Sequence, residues 1–497
     1  MQFFDLLAKV KSHPEQQITF VGVNGSQVNN SFAEFADDVD ALILKLREND
    51  IRSGMRVGIL GDNSYDWMVW DVALLTIGCV SVAFPVDSFG QSTDDLIKKY
   101  QLSYLAVSDA LGLNTSEITR GIVPLELSST QEWYKCALHE LSETHSQVHS
   151  MVFSSGTSGH LKGLTISGLG TENLVTLFEQ AFGFEQQDSH LIFLPFAGYQ
   201  QRMVYYGCLY NGAAVVTVPY LRLFHELRLR KPTFVIAPPM FFETVHRLTK
   251  RADADATKKA LDTLLGGNIR CMITGMAAIK RESLDYFWDH DIALYEAYGI
   301  TEAGMVAWNK PSLTKIGSVG SVAEPGTVVL GEGNEVIICR DKPLSLGYFE
   351  ASEEDSRLTF VRANTVATGD IGEFDEQGFL TLVGRKKDII VTKNGQKFHP
   401  ETIEVMLNNC QSIEQSVIIG GDGIAGVVAM LNINASEDEV MPLIKKHIEM
   451  VNGHLPDYQR ISKTVIVAKE FNLENGFRTQ NLKINRKAIR KFYEQPK

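Results

Sequence analysis

The sequence predicts an α/β fold: a large N-terminal domain of layered α/β subdomains with a small β-barrel-like subdomain, then a small α+β C-terminal domain. Three observations carry this. Short β-rich runs alternate with helical patterns from residue 18 to residue 274. Residues 317–347 then break into brief β runs (VVLG, EVIIC) punctuated by Gly and Pro. Near Gly384 the rhythm changes again, and residues 385–497 mix strands and helices on the scale of a separate domain. A chain of 497 residues is too long for one core, so the expected division is 1–384 and 385–497.

Taken in order, residues 18–23 and 56–60 read as strands, and 32–47 and 65–75 as helices. Residues 78–85 (GCVSVAFP) read as a buried strand and 105–107 as another, with a helix over 93–100 between them. That βαβ order favours parallel pairing, which needs a long crossover. Residues 138–150 are polar and read as a surface connection, with His139, His145 and His149 solvated because no second ligand cluster has matching spacing. Strands follow at 191–194, 214–218, 234–237 and 271–274.

Hydrophobic residues make up 44% and charged residues 22%, ordinary for a globular protein. The net charge of -13 argues against general nucleic-acid affinity, which requires clustered cations. Six cysteines (Cys79, Cys136, Cys208, Cys271, Cys339, Cys410) show no C-x-x-C spacing, so reduced thiols are expected rather than zinc or disulfides. The start, MQFFDLLAKVKSHPEQQ, lacks a signal pattern, and no apolar run of about 18 residues occurs. The expectation is a cytoplasmic protein without a transmembrane segment.

Residues 151–163 (MVFSSGTSGHLKG) run from an apolar strand into a dense set of small polar residues: Ser154, Ser155, Gly156, Thr157, Ser158, Gly159 and then Lys162. Glycines let backbone N–H groups turn toward an anion, and hydroxyls and a lysine add donors, so this is phosphate-cradle chemistry. It is no Walker A loop: Leu161 stands where a glycine precedes the lysine, and Gly163 replaces the metal-holding Ser/Thr. On this segment alone a Gly/Ser turn remains open.

Other segments narrow the choice. Residues 154–163 resemble the signature of the adenylate-forming superfamily of acyl-CoA synthetases, luciferase and peptide-synthetase adenylation domains. YGITE (298–302), TGD (368–370), GRKKD (384–388) and NLKINR (481–486) resemble further motifs of that family, in its order. Several motifs in order are far more specific than one.

The resemblance implies ATP and Mg²⁺ as reactants, and roles for individual residues. Thr157, Ser158 and Lys162 would hold the β- and γ-phosphates, Thr301 the α-phosphate, and Glu302 the Mg²⁺, which prefers hard oxygen ligands. Asp370 would accept the ribose hydroxyls and Arg385 would reach ribose or phosphate. Gly275, Ala277, Glu296 and Ala297 would form the adenine pocket, with Tyr298 stacking on the base, and Gly299 would also bind the nucleotide. Lys483 would stabilise the charge that develops as a carboxylate attacks phosphorus. The small domain would be a mobile lid pivoting at Lys387, with Gly395 on the path of an incoming thiol.

Residues 194–202 (LPFAGYQQR) resemble a stretch near the acyl site of long-chain acyl-CoA synthetases, which places Gly198, Tyr199 and Arg202 at the acyl or thiol site. Gly198 departs from the histidine of that group. No aspartate lies in 194–211 to pair with a substrate ammonium, and a buried unpaired charge is costly, so an uncharged aliphatic or similar acid is favoured. The implied acceptor is CoA. Two alternatives stay open: an acyl- or aminoacyl-AMP ligase loading the phosphopantetheine of a carrier protein, and a non-catalytic nucleotide-binding regulator. Lys483→Ala is expected to lower acyl-AMP formation by orders of magnitude while ATP binding survives; pyrophosphate release near the wild-type rate would refute the role.

Overall fold

A computed structural model describes residues 5–86, 92–111, 121–129, 133, 147–155, 161–350, 352–392, 394–421, 423–467, 471–472, 475–478 and 484–494, with backbone alone at 154, 155, 161, 353 and 355. Two large sheets dominate. The first has seven strands in the order Ser345–Tyr348, Leu161–Ser167, Val148–Ser155, Val80–Phe84, Arg56–Leu60, Tyr104–Val107, Ile122–Pro124. Its βαβ half is parallel, as expected, and Val148–Ser155 and Leu161–Ser167 form an antiparallel hairpin around residues 156–160. The second has nine strands, parallel from Gln17–Val21 across to Leu294–Ile300, with antiparallel edges at Gln27–Ser31 and at Gly304–Trp308.

Local chemistry fixes the helices. Helix Phe32–Glu48 starts at a capping box: the Ser31 hydroxyl accepts from the Glu34 N–H at 3.2 Å while the Glu34 carboxylate accepts from the Ser31 N–H at 2.7 Å. Its apolar residues Phe35, Val39, Leu42 and Leu46 recur on one buried face. Helices Tyr65–Thr76 and Tyr199–Asn211 instead bury nearly every residue, because they share the core common to strands of both sheets.

A charge pair lies inside that core. Asp71 and Arg202 have side chains only 1% and 0% exposed, and Arg202 Nη2 donates to Asp71. Arg202 also donates to Ser150 Oγ at 2.7 Å and to Ser81 Oγ at 2.8 Å, and both serines belong to strands of the first sheet. The Tyr205 and Tyr206 hydroxyls donate to Asp71 as well. Such saturation is what lets an ion pair persist without water.

Two expectations are corrected. His149 is not solvated: it lies in strand Val148–Ser155, 3% exposed, bonded to the Tyr199 hydroxyl at 2.7 Å and to Thr171 at 3.1 Å. Burial and the Arg202 charge hold its pKa well below the ordinary value, so the ring is neutral. His139 and His145 fall outside the described residues. The barrel-like subdomain is an open antiparallel sheet of Val328–Leu330, Glu335–Cys339, Thr365–Phe374 and Phe360–Arg362, with Leu380–Arg385 also on Thr365–Phe374. Two strands of the predicted segment, Ser321–Val322 and Ser345–Tyr348, pair with the two large sheets instead.

Beyond residue 387 a three-stranded sheet (Ile413–Ile419, Val427–Ile433, Ile461–Ile466) is covered by helices Pro400–Asn408, Glu437–His454 and Arg486–Glu494. Two apolar clusters here draw only on residues after 389. No helix among the described residues is long and apolar enough to cross a membrane.

Asp71→Ala would leave a buried guanidinium uncompensated and is expected to cost about 3–5 kcal/mol. All five tryptophans (Trp67, Trp70, Trp133, Trp288, Trp308) precede residue 340, so tryptophan fluorescence in urea reads the large part alone. A midpoint equal to wild type would show the pair to be dispensable.

Candidate active site

The site is built around the end of strand Leu294–Ile300 and the turn that follows it. Gly299 lies so close to the returning chain that a Cβ there would come within 2.5 Å of the Gly304 carbonyl oxygen, and Gly304 itself has φ +70. Only glycine fits both demands. The turn therefore reverses tightly, and it presents Tyr298 and Glu302 to two different partners.

Tyr298 donates its hydroxyl to Asp370 Oδ2 at 2.7 Å. Asp370, 4% exposed, sits in strand Thr365–Phe374 directly opposite Arg385, whose Nε lies 3.0 Å from Oδ1. Its own N–H donates to Thr368 Oγ1 at 3.0 Å. Burial, and then the Asp370 charge, raise the Tyr298 phenol far above its ordinary value, so it remains a donor. A sugar diol would compete for that carboxylate by offering two donors together.

On the other side of the turn, Glu302 Oε1 accepts from the Tyr348 hydroxyl at 2.8 Å, and Lys162 Nζ lies 5.3 Å from the centre of the Tyr348 ring. One tyrosine thus gathers the glycine-loop lysine and the glutamate expected at the metal. The donor set fits Mg²⁺ with a triphosphate: a hard carboxylate oxygen beside a cation that takes phosphate, since Mg²⁺ commonly uses one or two carboxylates plus phosphate oxygens.

Gly275 directly follows strand Cys271–Thr274, and a Cβ there would stand 2.9 Å from the Ala297 carbonyl oxygen, so the chain passes close to the neighbouring strand. Met276 follows at φ +73, a conformation rare for a non-glycine residue and a mark of local constraint; sequence reading passed over it. Ala277 is exposed, and Ala297 is buried. The Glu296 carboxylate accepts from the Gly317 N–H at 2.7 Å, and burial pushes its pKa up to about 7.

The remaining expected residues are placed as follows. Gly198 is exposed at the start of helix Tyr199–Asn211. The polar groups of Tyr199 and Arg202 turn inward, to His149 and Thr171 and to Asp71, because the helix is buried almost all round and their partners lie in the core. Thr301 is exposed beside Glu302. Lys387 is in a short 3-10 turn, Lys386–Asp388, and Gly395 (φ +76) is at the exposed tip of the hairpin between Ile390–Val391 and Lys397–Phe398. Gly156, Thr157, Ser158, Gly159 and Lys483 lie outside the described residues, as do the side chains of Ser154 and Ser155.

Comparison with known proteins places this geometry. The family model for the AMP-binding enzyme matches residues 6–340, and that for the AMP-binding enzyme C-terminal domain matches residues 387–496. The chain belongs to the AMP-binding enzyme family. It is 23% identical over 554 aligned positions to the long-chain-fatty-acid–CoA ligase FadD15 of Mycobacterium tuberculosis, covering 94% of this chain and 91% of that one. To the 2-succinylbenzoate–CoA ligase of Listeria monocytogenes it is 25% identical over 406 positions, covering 78% and 80%. Among solved structures it shares the fold of the anthranilate CoA ligase AuaEII in complex with anthranoyl-AMP, with TM-score 0.81 and 17% identity over 99% of this chain and 97% of that one. It also shares that of o-succinylbenzoate CoA synthetase from Bacillus subtilis with its acyl-adenylate, with TM-score 0.77 and 17% identity over 100% and 99%.

In this AMP-binding enzyme Gly384 lies just before the second matched part and packs against it: a Cβ there would stand 2.7 Å from Glu401 Oε2 and 2.8 Å from His399 Nδ1. Burial raises the Glu401 pKa to about 7. Arg486 lies on the same acidic group, its guanidinium donating to both Glu404 oxygens at 2.5 Å. Farther out, Lys280 Nζ donates to the Ile413 carbonyl at 2.9 Å and Arg247 pairs with Glu414 at 3.3 Å.

Glu296 supplies a pH test. Its ordinary pKa is 4.5 and its folded value about 7, so between those limits the folded state holds a proton that the unfolded chain has lost. Stability conferred by that proton falls as pH rises across this window. Glu296→Gln keeps an oxygen for the Gly317 N–H and cannot ionise. The melting-temperature advantage of the variant over wild type should therefore be larger at pH 8 than at pH 5; a pH-independent difference would disprove burial of the carboxylate.

Proposed function

We propose that this chain is an AMP-forming acid:thiol ligase of the acyl-CoA synthetase type, using ATP to activate a carboxylic acid and CoA to receive the acyl group. The observation that carries the reading is one strand end serving two subsites: Tyr298 reaches Asp370, which pairs with Arg385, and Glu302 reaches Tyr348 beside Lys162. A nucleotide spanning the turn would meet ribose acceptors on one side and phosphate and metal groups on the other. The relatives support the same chemistry, being named as CoA ligases of fatty and aromatic acids. The alternative of a non-catalytic regulator is set aside on that ground.

In the first half-reaction a carboxylate oxygen bonds to the α-phosphorus, the bond to the bridging oxygen breaks, and pyrophosphate leaves with both electrons. Bound Mg²⁺ supplies charge neutralisation to the triphosphate. Lys162 and Thr301 are assigned to the phosphates, Asp370 and Arg385 to the ribose, and Gly275, Ala277, Glu296 and Ala297 to the adenine. Lys483 is assigned to the attacking carboxylate and the α-phosphate together, which would hold them in line and offset charge in the transition state. In the second half-reaction the thiol loses its proton, sulfur bonds to the acyl carbon and AMP departs.

The proposed domains are 1–384 and 385–497, with the smaller one turning at Lys387 between the two half-reactions. The acid is assigned to the uncharged aliphatic class, or a similar one, as the absence of an aspartate from residues 194–211 suggests. The cytoplasmic setting is retained from the scattered cysteine pattern.

An acid-library screen of ATP/pyrophosphate exchange, followed by mass spectrometry with CoA or a phosphopantetheinylated carrier protein as acceptor, tests the reading. Exchange with fatty or related acids and an acyl-CoA product are expected. Acylation of the carrier alone would move the assignment to a carrier-loading ligase, and no acid-dependent exchange with any acid would overturn it.

A further inference from the structure

We propose that Tyr348 is a positioning residue for the metal and phosphate side of this site: its hydroxyl sets the Glu302 carboxylate and its ring face sets the Lys162 ammonium. The inference rests on the reading of the site as one for magnesium–ATP.

The backbone of Tyr348 is referenced to the strand that carries Lys162. Strand Ser345–Tyr348 pairs antiparallel with Leu161–Ser167, with Tyr348 opposite Leu164. Phe349 N–H donates to the Gly163 carbonyl at 2.7 Å, and Thr165 Oγ1 donates to the Gly347 carbonyl at 2.9 Å. Lys162, two residues before Leu164, is then the diagonal neighbour of Tyr348 on the same face, a separation that a ring and a long side chain can span. The 5.3 Å from Nζ to the ring centre is a cation–π distance.

The ring is fixed by a third element. It packs edge-on against Phe360, with centroids 5.1 Å apart and planes at 79°. Phe360 belongs to the sheet that carries Asp370, and it joins the apolar cluster that contains Tyr298. The hydroxyl, donating to Glu302 at 2.8 Å, is therefore held relative to the lysine strand, the glutamate turn and the ribose side together.

The choice of a phenol has a chemical reason. A glutamate side chain has several rotatable bonds, and a partner that ties one oxygen removes much of that freedom. A cation in that place would offset the negative charge that a metal ligand needs. A neutral hydroxyl orients the carboxylate, leaves its charge in place and leaves the second oxygen for a cation. The ring likewise orients the ammonium through a contact weak enough, about 0.5–1 kcal/mol at exposed sites, to yield to a phosphate.

The test uses the full chain and two variants. Tyr348→Phe keeps the ring and its packing on Phe360 and removes only the hydroxyl; Tyr348→Leu removes both. ATP binding is measured by calorimetry over a series of Mg²⁺ concentrations, beside the melting temperature. Tyr348→Phe is expected to raise the Mg²⁺ needed for half-maximal ATP binding about tenfold, as loss of a partner behind a metal ligand typically does, with the melting temperature unchanged. Tyr348→Leu is expected to weaken ATP binding at saturating Mg²⁺ as well. In a Glu302→Gln background Tyr348→Phe should add nothing, because the two act through one carboxylate. Wild-type magnesium–ATP binding with an unchanged Mg²⁺ requirement in Tyr348→Phe, or additive effects in the double variant, overturns the proposal alone. Failure of the wild type to bind magnesium–ATP overturns the functional reading with it.

Discussion

The close approach of Gly299 to the Gly304 carbonyl is the constraint on which the site depends. A Cβ at 2.5 Å from a backbone oxygen cannot be accommodated by side-chain movement, so any other residue would push the two strands apart. That tight reversal places Tyr298 in the buried ladder facing Asp370 and leaves Glu302 just beyond it facing Tyr348. The residues proposed for the ribose and for the metal are thus held by a single backbone segment. Their separation cannot drift without breaking the turn.

Behind the segment, the Asp71–Arg202 pair performs a related service for the glycine-rich loop. Arg202 donates to Ser150, in the strand that leads into residues 156–160, and to Ser81 in the neighbouring strand. Water is excluded, so each polar atom in this network is costly to leave without its partner. The consequence is a stiff base from which the hairpin extends. Arg202 and Tyr199 both belong to this buried network, while Gly198, at the start of the same helix, is exposed.

Much of the body was legible because its signals are local and repeated. Strands Arg56–Leu60, Phe234–Ala237 and Cys271–Thr274 have the bounds expected from short apolar runs, and helix Phe32–Glu48 extends the expected one by a residue. What the sequence does not show depends mostly on partners distant in the chain. The Arg202 pairing is invisible in the sequence because its partner, Asp71, is 131 residues away. His149 was read as solvated because polar neighbours hid a strand that buries it. Pairing of Ser345–Tyr348 with the first sheet, rather than within a barrel, is likewise set by tertiary packing. Tyr348 escaped notice for the same reason: it lies 46 residues from Glu302, and nothing in its local sequence marks a functional phenol.

The junction after Gly384 shows how two kinds of contact divide the work. Arg385 is committed to Asp370 at 3.0 Å and Lys386 to Glu335 at 2.8 Å, so the chain is anchored to the large part up to the proposed pivot at Lys387. Past it, Arg486 binds Glu404 with Asp388 and Glu401 nearby, which anchors the chain to the small part. Between the parts stand Arg247 with Glu414 at 3.3 Å, both substantially exposed, and the part-buried bond of Lys280 to the Ile413 carbonyl. Exposed pairs of this kind are worth about 0–1 kcal/mol each. A pivot at Lys387 would break these contacts while leaving the Arg385–Asp370 pair on one side and the Arg486–Glu404 pair on the other intact.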